Sequence, residues 1–368
     1  MSGTMHGLLG ITRRSTAIAL LGFPGLLASA GMARAQAADS VGGEPFVFAV
    51  GADLSFVKAA EDRGVQFKDH GVARPALDIF KDHGYNWIRL RVFHAPDRLP
   101  NNLAYTIVLA KEAKARGYHF LLDYHYSDTW ADPQHQITPS AWDTTDIQVL
   151  VDSVRDYTRD TFKAFMDAGV TPDMVQIGNE VRNGFMWPLG KLPAHWDNFA
   201  KLYEAALGGI DEARGANPRP LIMVHYDNGA DRQGVLRWFL RFDSYGLPYD
   251  VIGFSYYPWW HGNLLELRDN LLSALHNFPD KDVMLAEVGY RPRVYEHPDS
   301  LAPYPEDAPG GPRKAFLEAV TQTVLSISSR RIKGIFWWEP ATGCDSDFFD
   351  KDCNARPVMD VFDRYRRK

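Results

Sequence analysis

Eight apolar segments of strand length alternate with amphipathic segments along most of the chain. The strand-like segments are FVFAVGADLSF (46–56), YNWIRLRVF (85–93), YHFLLDYHY (118–126), MVQIGNEV (174–181), PLIMVHYD (220–227), DVIGFSYY (250–257), DVMLAEVGY (282–290) and IKGIFWWEP (332–340). Most of them are nearly continuous apolar runs, as is typical of parallel strands that are covered on both faces.

Apolar residues recur at steps of three and four in the intervening stretches, which predicts helices. The clearest examples are residues 102–117, 147–169, 198–215, 263–278 and 313–328. This alternation predicts an α/β fold, a closed (β/α)8 TIM barrel in a single domain. An open doubly wound sheet is the alternative, but it usually has a glycine-rich phosphate loop after its first strand. That position reads GADLSF and lacks the GxGxxG spacing.

Polar and aromatic residues gather where the predicted strands end. In chain order they are Asp53, Arg89 and Arg91, the segment DYHYSDTW, Asn179 and Glu180, His225 and Asp227, Ser255 and Tyr257, Glu287, and Trp338 with Glu339. Barrel enzymes place their chemistry at the carboxyl ends of the strands, so this asymmetry predicts an active site there.

Glu180 and Glu287, at the ends of predicted strands four and seven, are the candidate catalytic pair. Cleavage of a glycosidic bond requires a proton donor for the leaving oxygen and an anion near the oxocarbenium-like carbon. We expect Glu287 to be the anion, held ionised by Arg89 and by the Tyr257 hydroxyl. Taken alone, a glutamate at a strand end is more often an ion-pair partner, and only the joint placement favours catalysis.

Glu180 is then expected to be the acid, with a pKa raised by apolar neighbours such as Trp187. Asn179 is expected to hydrogen-bond the sugar 2-hydroxyl, and Trp338 to form the floor on which a sugar ring stacks. Aromatic residues make up 13% of the chain, with 10 tryptophans. They fit either a large core or a groove that stacks on sugars.

The first 35 residues have the pattern of an export signal. Arg13 and Arg14 precede an apolar run that ends in Ala33-Arg34-Ala35, a small-x-small cleavage pattern. We therefore assign residues 1–35 as a signal peptide and residues 36–368 as the catalytic domain of a secreted or periplasmic protein. Cleavage after Ala37 and export by the twin-arginine route stay open as alternatives.

Removing this segment takes away three arginines and no acid, so the net charge of −6 becomes −9. An acidic surface argues against nucleic acid as a partner and favours a neutral polysaccharide. The apolar run is too short and too broken by glycine and proline to anchor the chain stably in a membrane. We expect a monomer.

The chain has two cysteines, Cys344 and Cys353, which in an exported protein are expected to form a disulfide; two free thiols are the alternative. Four acidic residues, Asp345, Asp347, Asp350 and Asp352, lie in the same loop. Several carboxylates in one loop are compatible with a calcium site, but the spacing matches no known calcium loop, and a solvated acidic loop is favoured. No cofactor is expected in the chemistry and no metal in the active site.

Much of the sequence resembles glycoside hydrolase family 53, the endo-β-1,4-galactanases. The resemblance extends from about Phe48 to Phe362 and rests on GADLSF, EDRGVQFKDHG, NWIRLRVF, LLDYHYSDTWADP, VQIGNEVRNGFMWPLG, HYDNGAD, GFSYYPWWHG and FWWEPATG. It implies that Glu180 is the general acid/base and Glu287 the nucleophile. It further implies a substrate groove lined by Asp53, Asp128, Trp130, Asn179, Trp187, His225, Asp227, Tyr257 and Trp338.

Two segments near the expected groove depart from the family pattern. The chain reads EVGYRPR from Glu287 onward where members commonly have Glu-Thr-x-Tyr-Pro-Trp, and RVFHAP replaces a tryptophan-containing ending after strand two. We expect a retaining endo-β-1,4-galactanase that acts on the galactan or arabinogalactan side chains of pectin. The alternatives are a β-glucanase or β-mannanase of the same clan, and a galactan-binding protein that no longer cleaves.

Overall fold

The structure is a computed structural model that describes residues 47–291, 304 and 307–365, together with the backbone of residues 40–41 and 44–45. The predicted signal peptide, residues 1–35, lies outside the described residues. Among the described helices, none is both long and apolar enough to cross a membrane.

Eight parallel strands close into a barrel in which each strand pairs with its neighbours in chain order, and the last pairs with the first. The strands are β1 (Ala49–Asp53), β2 (Trp87–Val92), β3 (His119–Tyr124), β4 (Met174–Ile177), β5 (Leu221–Tyr226), β6 (Val251–Tyr256), β7 (Asp282–Val288) and β8 (Ile332–Trp337). All eight lie within the apolar segments singled out in the sequence, and the predicted fold class is confirmed.

Helices connect consecutive strands. They span Val57–Asp62, Ala76–Asp82, Leu103–Ala115, Ile147–Asp167, Trp196–Arg214, Arg232–Asp243, Pro258–His261, Leu264–Asn277 and Pro312–Leu325, with 3-10 turns at Val181–Asn183 and Pro357–Tyr365. The five helices given as the clearest examples are present within a few residues of their expected bounds. Arg232–Asp243 was not among those examples, and Asp231 caps this helix by accepting a hydrogen bond from the Gly234 amide at 2.8 Å.

The interior of the barrel is a packed apolar plug below the active-site end. It contains Ala49, Trp87, Leu121, Met174, Leu221, Met223, Val251, Met284, Ala286 and Phe336, all buried. Gly51 is required beside this plug, because a Cβ at that position would lie 2.2 Å from the Phe336 ring. A larger apolar layer between the strands and the helices forms the rest of the core. The barrel is therefore a filled scaffold whose open end carries the polar residues.

Local irregularities of two strands place the two candidate glutamates. Strand β4 ends at Ile177, and the chain then turns through Gly178 (φ 77°) and Glu180 (φ 51°), both left-handed. Strand β7 has a bulge between Leu285 and Glu287, after which Glu287 pairs in register with Ser255 of β6. Such departures from regular geometry re-aim side chains and are common next to active sites.

Candidate active site

A groove of about 880 Å³ opens at the carboxyl ends of the strands. Eight of the twelve residues proposed from the sequence line it: Arg89, Trp130, Asn179, Glu180, Asp227, Tyr257, Glu287 and Trp338. Asp53 and His225 lie buried beneath the groove. Asp53 is hydrogen-bonded to Arg89 and His225 to Asn179, both of which line the groove.

Glu287 is clamped between a cation and a hydroxyl. Arg89 Nη1 lies 2.9 Å from Oε1, and the Tyr257 hydroxyl donates to Oε2 at 2.6 Å. These two contacts are the ones expected from the sequence. Burial raises the pKa of Glu287, but Arg89 and Tyr257 oppose that rise because both favour the carboxylate.

Glu180 lies in the same groove, and no cation of the described residues forms an ion pair with it. Its Oε1 lies 2.5 Å from the Ser255 hydroxyl oxygen, within hydrogen-bonding distance. Burial raises the pKa of Glu180 well above its ordinary value, and the nearby negative charges of Glu287 and Asp227 raise it further. The two carboxyl groups therefore differ in the way that an acid and an anion must differ: a proton that they share resides on Glu180.

Arg89 is the centre of a buried ionic network beneath the two glutamates. Besides Glu287, its guanidinium pairs with Asp53 at 2.9 Å and with Asp123 at 2.8 Å, and it donates to the Asn179 side chain at 2.8 Å. Because Arg89 is only 1% exposed, each of these contacts is made away from bulk water. The network fixes the guanidinium that holds Glu287.

Asn179 is held rigidly at the floor of the groove. Its Oδ1 accepts hydrogen bonds from Arg89 and from His225 Nδ1, the latter at 3.0 Å, and its Nδ2 donates to the Ala131 carbonyl at 2.8 Å. One Nδ2 hydrogen is left for a ligand in the groove.

Aromatic rings form one wall of the groove. Trp338 lies edge-on to Trp130 and to Tyr257, with ring centroids 6.4 and 6.3 Å apart. Trp259 and Trp260 follow Tyr257 in the chain and extend this wall, and Trp260 is 51% exposed. Such flat, exposed rings offer stacking faces to a sugar chain.

Two of the proposed residues, Trp187 and Asp128, lie outside the residues that line the groove. The Trp187 indole donates to the Asn183 carbonyl at 2.9 Å, and the Lys191 ammonium lies 4.1 Å from its ring centroid. Asp128 Oδ1 lies 3.1 Å from the His94 ring, and Asp128 accepts hydrogen bonds from Ser140, so it shapes the loop after β3.

Two ion pairs at the groove were not anticipated. Glu339, after β8, pairs with Arg91 of β2. Asp227 pairs with Arg182 at 3.0 Å, and burial raises the pKa of Asp227 to about 6 although Arg182 opposes the rise. The alternation of Arg89 and Arg91 along β2 places both side chains on one face, so Arg91 reaches the groove together with Arg89.

The acidic loop after β8 uses its carboxylates separately. Asp345 pairs with Arg356 at 2.9 Å, and Asp347 pairs with Arg313 at 2.8 Å. Asp350 accepts backbone amides of its own loop. Cys344 and Cys353, at the two ends of this segment, are joined by the predicted disulfide.

Within the part of the chain that the structure describes, one group of three metal-ligating side chains lies close together, namely His83, Asp360 and Asp363. His83 Nδ1 lies 2.9 Å from Asp363, and none of the three lines the groove. This group is accounted for by that hydrogen bond and is separate from the candidate chemistry.

A buried carboxylate pair at the open end of a (β/α)8 barrel, in a groove walled by aromatic rings, defines the class of protein as a glycoside hydrolase. The model of glycosyl hydrolase family 53 matches residues 49–364 of the chain. The chain belongs to this family.

Individual relatives agree with that assignment. The arabinogalactan endo-β-1,4-galactanase of Humicola insolens is 35% identical over 336 residues, which cover 85% of this chain and 98% of that protein. A solved structure of a fungal β-1,4-galactanase superposes with a TM-score of 0.78 at 33% identity, covering 87% of this chain and 99% of the other. The family 53 catalytic domain of Ignisphaera aggregans gives 0.78 at 31% identity, covering 88% and 97%.

Proposed function

We propose that this glycoside hydrolase is an exported, retaining endo-β-1,4-galactanase that cleaves the galactan or arabinogalactan side chains of pectin. The observation that carries the proposal is the pairing of Glu180 and Glu287 in one groove with opposite electrostatic surroundings. The substrate class is supported by the relatives named as galactanases and by the aromatic wall of the groove.

In the first step, Glu180 protonates the glycosidic oxygen while the Glu287 carboxylate attacks the anomeric carbon. The bond to the leaving chain breaks, and a covalent glycosyl ester forms on Glu287. In the second step, Glu180, now a carboxylate, takes a proton from water as the water oxygen attacks the anomeric carbon. The ester bond breaks, and both glutamates return to their starting protonation states.

The surrounding residues orient the reacting groups and supply no cofactor chemistry. Arg89 and Tyr257 keep the attacking oxygen of Glu287 ionised and fixed. Asn179 offers its remaining hydrogen to the sugar 2-hydroxyl, and Trp338 stacks on the ring. Export is supported by the signal-like pattern of residues 1–35.

The test is digestion of unbranched β-1,4-galactan with sizing of the products, alongside β-glucan and β-mannan. Galactan should be cut internally, giving a range of oligosaccharides at early times. Preferential cleavage of glucan or mannan would mean that the enzyme is a β-glucanase or β-mannanase instead. Binding to galactan without release of reducing ends would contradict hydrolysis altogether.

Two variants test the roles of the glutamates. Glu287→Ala should abolish turnover without changing thermal melting. Glu180→Gln should lose less activity on an aryl glycoside with a good leaving group than on galactan, because that leaving group needs little protonation. Equal losses on the two substrates would count against Glu180 as the acid.

A further inference from the structure

A buried hydrogen-bonded chain runs from Glu180 through Ser255 to His225. The Ser255 hydroxyl lies 2.5 Å from Glu180 Oε1 and 2.9 Å from His225 Nε2. Ser255 and His225 are both fully buried, so water does not compete for these contacts. Ser255 is on β6 and His225 on β5, and the barrel brings both beneath Glu180.

The position of the proton on His225 follows from its second neighbour. His225 Nδ1 lies 3.0 Å from Asn179 Oδ1, and Arg89 donates to the same atom at 2.8 Å. Because a guanidinium can only donate, that atom of Asn179 must be the oxygen rather than the amide nitrogen. His225 Nδ1 therefore carries a hydrogen and donates it to Asn179.

The other ring nitrogen of His225 carries no hydrogen. Burial lowers the pKa of His225 well below its ordinary value, and Arg89 and His125 lower it further, while Asp123 opposes them. The ring is therefore neutral, with its single hydrogen on Nδ1. Nε2 is a bare acceptor that points at Ser255.

Ser255 consequently has one hydrogen and faces two acceptors, His225 Nε2 and Glu180 Oε1. When Glu180 is a carboxylate, one of these two acceptors has no donor, which is costly because Ser255 and His225 are fully buried. When Glu180 is protonated, Oε1–H donates to the Ser255 oxygen and the Ser255 hydroxyl donates to Nε2. Every hydrogen in the chain then has a partner.

We propose that Ser255 and His225 form a positioning pair in which His225 accepts the Ser255 hydroxyl, withholds that donor from Glu180 and so favours the protonated form of Glu180 in the free enzyme. The inference rests on the proposed role of Glu180 as the general acid/base. After Glu180 has passed its proton to the leaving oxygen, the Ser255 hydroxyl turns from Nε2 to Oε1 and stabilises the new carboxylate. The return of a proton from water restores the starting arrangement.

The charged groups that face Glu180 from the other strands act in parallel with this pair. Glu287 and Asp227 disfavour the carboxylate of Glu180, and Arg89 favours it. All three are retained when Ser255 or His225 is replaced. Changes in the protonation of Glu180 in such variants therefore report on the pair.

The experiment measures kcat/KM for unbranched β-1,4-galactan against pH, since this quantity reports the ionisations of the free enzyme. His225→Phe removes the competing acceptor and frees Ser255 to donate to the carboxylate, so the basic limb should move down by about one pH unit. Ser255→Ala removes the donor to the carboxylate, so the basic limb should move up by a similar amount.

The double variant provides the matched control. In a Ser255→Ala background, His225→Phe should produce no downward shift, because its effect passes through the Ser255 hydroxyl. The proposal would be overturned if His225→Phe left the basic limb at the wild-type pH. It would also be overturned if His225→Phe moved the basic limb down equally in the wild type and in Ser255→Ala. If His225→Phe does not fold, an unmoved basic limb in Ser255→Ala alone overturns it.

Failure of this proposal can be told apart from failure of the proposed function. Wild-type turnover of galactan by Glu180→Gln would remove Glu180 as the acid. Loss of turnover in Glu180→Gln, together with unmoved limbs in active Ser255 and His225 variants, would leave the catalytic assignment standing and remove only the positioning pair.

Discussion

The Tyr257 hydroxyl provides the sharpest test of how Glu287 is kept ionised. Its hydrogen bond to Oε2 is 2.6 Å long, and Tyr257 and Glu287 are only 6% and 5% exposed. Tyr257→Phe removes this one hydroxyl and keeps the ring that borders Trp338. The ion pair between Arg89 and Glu287 is retained.

The expected magnitude follows from the strength of a buried hydrogen bond to a charged group, about 1.5–3 kcal/mol. One pKa unit corresponds to about 1.4 kcal/mol, so the pKa of Glu287 should rise by roughly one to two units. Glu287 must be ionised to attack, and activity is lost as the pH falls through its pKa. The acidic limb of the pH profile should therefore move up by roughly one to two pH units.

The assay is kcat/KM for galactan across the acidic range, with Tyr256→Phe as the matched control. Tyr256 is the preceding residue and is also buried, but its hydroxyl donates to the Gly262 carbonyl at 3.0 Å, away from Glu287. Its acidic limb should stay at the wild-type pH. If Tyr257→Phe lowers activity at every pH and leaves the limb in place, the hydroxyl does not hold Glu287 ionised.

Two further predictions separate residues that the sequence treats alike. Trp338→Ala should raise KM for galactan roughly tenfold by removing a stacking face. Trp187→Ala should leave KM near the wild-type value, since Trp187 lies outside the residues that line the groove. A larger increase in KM for Trp187→Ala than for Trp338→Ala would contradict this placement. Glu180→Gln should melt at the wild-type temperature near pH 4 and a few degrees higher near pH 8. The folded protein holds the Glu180 proton above the pH at which the unfolded chain releases it, so stability falls as the pH rises, and glutamine removes that loss. The exposed Glu204→Gln is the control, and equal melting shifts at both pH values would argue against a raised pKa at Glu180.

The barrel could be predicted because its strands are covered on both faces. Continuous apolar runs such as those of β4 and β7, in a chain where they alternate with helices, are typical of buried parallel strands. The ends of the strands could not be predicted as closely, because the apolar runs continue past the residues that pair with neighbouring strands. Met174–Ile177 is half the length of its predicted segment, because Gly178 turns the chain out of the sheet.

The candidate site was predictable where it depended only on strand ends. Glu180, Glu287 and Arg89 all lie at the open end of the barrel because parallel strands present their carboxyl ends on one side. Trp187 lies outside the residues that line the groove, and its position depends on the turn after Glu180. The 3-10 turn at Val181–Asn183 directs the indole to the Asn183 carbonyl instead of the groove.

Side-chain contacts between different strands could not be predicted from the sequence pattern. Ser255 on β6 reaches Glu180 after β4 because only β5 lies between these two strands in the closed barrel. The pairing of Arg91 with Glu339 depends on β8 closing against β1, next to β2. Neither feature leaves a local signal, since each depends on which strands the closed barrel makes adjacent.

The stereochemistry of the first product tests the central claim most directly, namely that Glu287 attacks while Glu180 donates the proton. Proton NMR of galactan digestion, followed before the anomers equilibrate, should show the β-anomer of the new reducing end appearing first, as a double displacement requires. First appearance of the α-anomer would mean that water attacks directly, and would contradict Glu287 as the nucleophile.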